Sequence, residues 1–171
     1  MQKYHFRKTH DIIPEKLADE SPYIAGLMDG EGCFRLQKLS GKKIRFRPLI
    51  QLAMTDEPTV AYIGNIFGVN YQLVKRKNKK KYHKKVYRLL VTTEAEMNQI
   101  AKALVVHSIT KKRQMEIMIN FFELEATKEE ANQQEVLQKE IELYIENSQL
   151  NQRGKPKNFV RIRAKLLKCV C

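Results

Sequence analysis

Apolar positions along this chain switch between two periods. Phe34 and Leu36 alternate with Arg35 and Gln37, the period-two pattern of a half-buried strand. Ser40-Gly41-Lys42 suits a turn, and alternation resumes at Ile44-Arg45-Phe46-Arg47 and continues to about Leu52. The pair reads as a hairpin with an apolar face (Phe34, Leu36, Ile44, Phe46, Ile50) and a basic face. A second hairpin is expected over Tyr71–Lys77 and Tyr82–Val91, turning at Asn78-Lys79-Lys80-Lys81. In its second strand Tyr87, Leu89 and Val91 alternate with Val86, Arg88 and Leu90. Its first strand has two readings: either Gln72 and Arg76, or Lys75 and Lys77, share the polar face.

Between and after the hairpins the period lengthens to that of a helix. Ser21-Pro22 opens one, with Ser as cap and Pro where no N–H is needed, and Gly32 closes it. Asp56 caps a second, whose Val60, Ile63 and Phe67 share a face and which Gly68 stops. Thr93 with Glu96 forms a capping box before Met97, Ile100, Ala101 and Leu104. Further helices are expected from near Thr110 and from Lys128 to about Gln149, before a break at Gly154 and Pro156. Short loops inside each strand pair favour antiparallel hairpins over parallel βαβ units, so the class is α+β. With about 150 residues per domain as a guide, one domain is expected: a lead-in over 1–20, a domain over 21–153 and a basic tail over 154–171.

Charge then narrows the partner. Among 171 residues, 32 Lys and Arg stand against 19 Asp and Glu, for a net charge of +13. The excess is concentrated in three runs without an acid: Arg35–Arg47, Lys75–Arg88 and Arg153–Lys168. Residues 123–146 hold eight acids and two lysines, a helix expected to face away from any polyanion. A directed basic surface points first to nucleic acid and second to an anionic membrane. No apolar run is long enough for a membrane span, and no secretory h-region is visible. Three scattered cysteines, Cys33, Cys169 and Cys171, make no disulfide framework. A reducing intracellular setting is therefore expected, in a bacterial or phage cytoplasm or an organelle.

The densest chemical signal is Ile24-Ala25-Gly26-Leu27-Met28-Asp29-Gly30-Glu31-Gly32. Gly26 and Gly30 lie one turn apart on one helix face. Each glycine there costs about 1 kcal/mol against alanine, which close approach of another backbone would offset, as would tight packing in the helix's own core. Two acids, Asp29 and Glu31, stand where a carboxylate opposes the helix dipole. A divalent cation with oxygen ligands would relieve that, and Mg²⁺ habitually combines one or two carboxylates with phosphate oxygens. Lys111, Lys112 and Arg113 crowd the start of a later helix, where cations are also unfavourable unless an anion lies near.

This stretch, with Tyr23 and Phe34, resembles the motif of the LAGLIDADG homing endonucleases, and the element order over residues 21–125 resembles that family's. The resemblance implies a LAGLIDADG-type αββαββα core with an antiparallel saddle-shaped sheet and additional C-terminal helices. A single motif resembles the homodimeric branch, with Ala25, Gly26, Asp29 and Gly30 at the interface between motif helices. It implies Glu31 as catalytic acid and metal ligand, the Gly30 carbonyl as a second ligand, and Lys111 as a second catalytic residue, the family's basic position at the start of the helix after the second half-repeat. Asp29 closes the helix end, Met54 takes the position of a water-ordering polar residue that Gln51 or Thr55 could replace, and a basic residue near Pro58 is missing. The cofactor implied is Mg²⁺ or Mn²⁺, with Ca²⁺ supporting binding without cleavage. Arg35, Gln37, Arg45, Arg47, Gln51 and Arg88 are expected to read bases in double-stranded DNA. Lys42, Lys43, Lys75 and Lys77 complete the DNA-binding set with Lys79, Lys80, Lys81, Lys84 and Lys85, the last five expected on phosphates. The implied activity is a site-specific double-strand cut leaving 3′ overhangs at a long pseudo-palindromic target, by an intron-encoded or freestanding protein. The rivals are an RNA maturase that assists intron splicing, a non-cleaving DNA-binding relative and, more remotely, a basic ribosome-associated protein.

Overall fold

The first alternating stretch folds into β1 (Gly32–Lys38), with Phe34 and Leu36 buried and Cys33, Arg35 and Gln37 on the other face. The computed structural model describes residues 9–41, 43–75, 83–128, 132–152 and 158–167. Strand β2 (Phe46–Met54) begins two residues after the expected Ile44 and pairs antiparallel with β1, Phe34 opposite Ile50 and Gln37 opposite Arg47. In the second hairpin, the described residues pair β3 (Tyr71–Leu73) with β4 (Tyr87–Val91), and Val74 N–H bonds the Val86 carbonyl beyond them. The sheet is antiparallel, in the order β1-β2-β4-β3. Pro48 is tolerated within β2 because it lies opposite Leu36, whose N–H points away from β2 to the side chain of Asn147.

Helices cover the apolar face. They are α1 (Pro14–Asp19), α2 (Ser21–Glu31), α3 (Glu57–Ile66), α4 (Glu94–Leu104), α5 (Lys112–Ala126), α6 (Gln133–Leu150) and α7 (Phe159–Leu167). Ile24 and Met28 of α2, Ile63 of α3, Ile100 of α4 and Met118 of α5 join Phe34, Ile50, Leu52, Leu89 and Val91 in one core. The α+β class and the αββαββα order stand, with α6 and α7 as the additional C-terminal helices.

Several local expectations change. Ser21 does not cap α2; Glu20 holds that place, and Ser21 Oγ donates to the Ala18 carbonyl because α1 runs almost directly into α2. Thr93 precedes α4, yet its side chain makes no cap bond. Asp56 does cap α3, accepting from Thr59 N–H. Residues expected as lead-in are part of the fold. Ile12 and Leu17 are buried, and the N–H groups of Thr9 and Ile13 bond the carbonyls of Gly68 and Ile66. Gly68 has φ +64°, and a Cβ there would meet the His10 carbonyl, so only glycine serves. Part of the expected tail is helix α7, which buries Leu166 and pairs Arg163 with Glu142 of α6.

Helix α6 closes the exposed edge of β1. Asn147, 1% exposed, accepts from Leu36 N–H and donates to the Phe34 carbonyl. Asn151 donates to the same carbonyl. These amides take the place of a neighbouring strand, satisfying edge groups that would otherwise invite foreign pairing. Phe46 stacks on Tyr144 beside them.

Candidate active site and nucleic-acid interface

Asp29 does not close its own helix. Its carboxylate crosses to the start of α5, accepting from Ser108 Oγ and from the N–H groups of Ile109, Thr110 and Lys111. Burial alone would raise its pKa, but these hydrogen bonds together hold it below the usual carboxylate value. In return, Lys111 Nζ donates to the carbonyls of Met28 and Asp29, at 2.9 and 2.7 Å. Each helix thus receives the charge its exposed end favours: an anion at the N-terminus of α5, a cation at the C-terminus of α2. That exchange offsets the crowding of cations at Lys111–Arg113. Arg113 is also bound, by Glu116 and Glu146.

Beside this junction lies an open cavity of about 440 Å³. The end of α2 contributes Gly30, Glu31 and Gly32, and α5 contributes Gln114 next to Lys111. Cys33 and Arg35 of β1 and Gln51 and Ala53 of β2 form its floor. Glu31 is exposed and makes no hydrogen bond or ion pair with the described residues. Gly32 has extended backbone; what it requires is space, since a Cβ would lie 2.6 Å from the Met28 carbonyl oxygen. Met54 does not reach the cavity. The register puts Gln51 and Ala53 on the polar face, while Met54 packs against the core. Gln51 therefore holds the place given to Met54.

The far wall was not anticipated: Leu150, Asn151 and Gln152, at the end of α6. The amphipathic pattern of α6 was legible, but nothing in it marks two asparagines as edge clamps that carry the helix end to the cavity. Cys33 Sγ sits 3.8 Å from Asn151 Oδ1 in that wall. It is a small groove-lining residue, and Cys169 and Cys171 lie outside the described residues.

Among the described residues, nothing covers the outer face of α2 at Gly26 and Gly30. A Cβ built on Gly26 or Gly30 would meet nothing within 4 Å. Of the small residues expected at an interface, Ala25 is buried within its own chain and Asp29 is turned to α5; Gly26 and Gly30 face outward. Exposed apolar groups lie beside that face: Tyr23, one turn before Gly26, is 51% exposed and Ile109 is 90% exposed. Ile109 is tied beside Gly30 through its N–H bond to Asp29.

Across the polar side of the sheet, the register sets Gln37 opposite Arg47, Arg35 opposite Leu49 and Cys33 opposite Gln51, and places Arg88 opposite Ala53 and Gln72. For the paired part of the first strand of the second hairpin, Gln72 shares the face of Arg88, while Tyr71 and Leu73 take the other side; Lys75 lies beyond the ladder. Arg45 and Lys43 are exposed ahead of β2. Lys84 and Lys85 border a shallow hollow with Asp56 and Glu57, so acids share their end of the sheet. Lys42, Arg76, Lys77, Lys79, Lys80 and Lys81 lie outside the described residues.

A family model described as LAGLIDADG endonuclease matches residues 24–117, from the motif helix into α5. The chain is a LAGLIDADG family member. A search of curated proteins gave no match. Among solved structures, homing endonuclease I-CvuI with a DNA target aligns with TM-score 0.68 and 16% identity over 90% of this chain and 96% of its own. The archaeal intron-encoded homing endonuclease I-Vdi141I, complexed with DNA, aligns with TM-score 0.69 and 16% identity over 89% and 94%. LAGLIDADG homing endonuclease I-GzeII, with its DNA target, gives TM-score 0.62 and 18% identity, but only 47% of its chain is covered. At these identities the likeness is one of fold.

The donor set of this LAGLIDADG chain can be tested against a divalent cation. Among the described residues no group of three His, Cys, Asp or Glu side chains could hold a metal ion. One chain offers the Glu31 carboxylate and the Gly30 carbonyl, hard oxygen donors at the rim of the cavity. This fits Mg²⁺, which keeps waters and completes its shell with phosphate oxygens, better than a self-contained protein cage. Among the described residues no helix is long and apolar enough to cross a membrane.

Proposed function

We propose that this protein is a homodimeric, divalent-metal-dependent, site-specific endonuclease acting on double-stranded DNA. The observation that carries the reading is the separation of two acids two residues apart. Asp29 is consumed by the fold, whereas Glu31 is left exposed at a cavity floored by Arg35 and Gln51, beside the bare face of α2. A carboxylate left without a protein partner at this rim is available to a cationic ligand, and a cavity opening onto an arginine-bearing sheet suits a phosphodiester backbone.

Self-association of two chains through Gly26 and Gly30 would cover Tyr23 and Ile109 and bring two Glu31 carboxylates together near a two-fold axis. The near-complete coverage of I-CvuI and the half coverage of I-GzeII support a unit that works in pairs. Arg35, Gln37, Arg47, Gln51, Gln72 and Arg88 are then the residues that read base edges of a long pseudo-palindromic target. Glu31 and the Gly30 carbonyl hold the cation. When bound, Mg²⁺ supplies charge that polarises the phosphate and acidifies water. Lys111, fixed by two carbonyls, adds positive potential at the wall. The products on this reading are staggered ends with 3′ overhangs, made by an intron-encoded protein.

The test is selection from a library of randomised duplexes, incubated with Mg²⁺ or with Ca²⁺, followed by sequencing of new ends and measurement of mass in solution. A discrete staggered break in Mg²⁺ only, from a dimer, supports the reading. Tight specific binding without a break in either ion replaces it with a DNA-binding role. Failure on DNA with binding to structured intron RNA replaces it with a maturase role.

A further inference from the structure

Gln114 sits on the first turn of α5, three residues beyond Lys111, and only 7% of its surface is exposed. It borders the same cavity as Glu31 and Gln51. Its Oε1 is buried and has no hydrogen-bond partner among the described residues. A buried amide carbonyl left unmet is costly, and native folds keep such groups when something else satisfies them.

The chemistry of the cavity limits what that something is. Oε1 only accepts, so its partner must donate. Ionised carboxylates only accept, which excludes Glu31. Phosphodiester oxygens only accept too, which excludes the DNA backbone. Lys111 directs its ammonium to the Met28 and Asp29 carbonyls on the α2 side. Arg35, Gln51, Asn151 and Gln152 line the same cavity with donor groups, yet none of them bonds Oε1, and the cation is assigned to Glu31 and the Gly30 carbonyl. Water is the donor left: it donates twice, and the cavity is polar and large enough to hold it.

We infer that Gln114 is a positioning residue that holds a water in this cavity through Oε1, orienting it toward the phosphate to be attacked. The inference rests on the endonuclease reading. In that step the water oxygen bonds to phosphorus, the bond from phosphorus to the 3′ oxygen breaks, the water's proton leaves to solvent, and the departing oxygen takes up a proton. Gln114 changes no bond of its own. Gln51 faces the cavity from β2, so two amides reach it from different elements. Sequence reading passed over Gln114 because a polar residue in a first helical turn is ordinarily solvated, and only tertiary packing buries it.

The test uses full-length protein and the duplex recovered by the library selection. Gln114→Met keeps the volume and removes the acceptor; Gln114→Glu keeps an acceptor. For Gln114→Met we expect an unchanged or raised Tm, Kd for the duplex in Ca²⁺ within threefold of wild type, and a single-turnover cleavage rate lower by about 10- to 100-fold. Gln114→Glu should recover part of that loss. A high-resolution crystal structure of the Ca²⁺–DNA complex should place a water within hydrogen-bond reach of Oε1, missing in Gln114→Met. Lack of that water in the wild type overturns the inference whatever the rates. If wild type cuts and Gln114→Met cuts as fast, this inference alone fails. A wild type that cuts no duplex sinks the endonuclease reading and takes this inference with it.

Discussion

Two polar junctions flank the cavity, and they are built differently. At the α2–α5 junction, charges are exchanged: Asp29 serves four groups at the start of α5, and Lys111 serves two carbonyls at the end of α2. At the α6–β1 junction, neutral amides do the work: Asn147 and Asn151 stand in for a strand beside Phe34 and Leu36. The first places Glu31 and Gln114; the second places the opposite wall. The comparison teaches that an acid and a base beside the proposed metal site are tied into the fold while a third charged group, Glu31, is left without a protein partner. Charge in a motif is therefore a poor guide to role until its partners are known.

The sharpest way to break the comparison is to remove Asp29. Asp29→Ala leaves three N–H groups and the Ser108 hydroxyl without their acceptor. We expect a loss of about 3 kcal/mol after allowing for partial solvent access, a fall of about 6–12 °C in Tm. Binding and cutting should fall with it. Glu31→Gln should do the opposite, keeping Tm and DNA affinity in Ca²⁺ while lowering cleavage by more than about 100-fold. Thermal unfolding and a single-turnover assay on both variants separate the two acids. Equal losses of Tm would mean that Glu31 also belongs to the fold.

At the amide junction, Asn147→Ala leaves the Leu36 N–H unmet and uncovers the edge of β1. A loss of about 2 kcal/mol is expected, with a steeper tendency to associate through that edge, measurable by light scattering against Tm. If Asn147→Ala cost more than Asp29→Ala, the amides rather than the charges would dominate the walls.

The smallest expected effect lies behind α6. Glu140 is buried between Glu125 and Lys128, and its pKa is pushed up to about 7, first by burial and then by its hydrogen bond to Glu125. A carboxyl that keeps its proton in the folded state to higher pH favours folding at low pH. Its contribution is full below the ordinary carboxylate range and is lost as pH rises through about 7. Glu125, held low by its bond from Glu140 and by Lys128, and Lys128, held high despite its burial by both carboxylates, keep their charges throughout this window. Wild type should therefore lose roughly 1 kcal/mol between pH 5.5 and 8 through this group. Glu140→Gln should flatten that slope, checked by chemical denaturation at both pH values. An unaltered slope would place the titration elsewhere.

Legibility followed the range of the interactions. Alternation over residues 32–38 and 46–52 predicts strands because each side chain's face depends only on its neighbours in sequence. Helix spacing at Val60–Phe67 and Met97–Leu104 is local in the same way, and the nine-residue motif is contiguous. The charge balance and the exposed Glu31 at the end of α2 were open to the same reading. Of the second hairpin, the described residues show three paired positions and a further bond from Val74 N–H to the Val86 carbonyl; its expected turn and the arms beside it lie outside the described residues. Ser21 and Thr93 have the composition of caps, but the entry angle of the preceding chain decides whether a hydroxyl can reach.

What only the tertiary structure decided is which helix Asp29 caps, which amide closes β1, that Gln51 and not Met54 faces the cavity, and that Gln114 is buried. Each joins groups far apart in sequence, 82 positions for Asp29 and Lys111 and 111 for Leu36 and Asn147. Local sequence sets a residue's face and its charge. Packing sets its partner, because the partner is whichever group the core brings within hydrogen-bond reach.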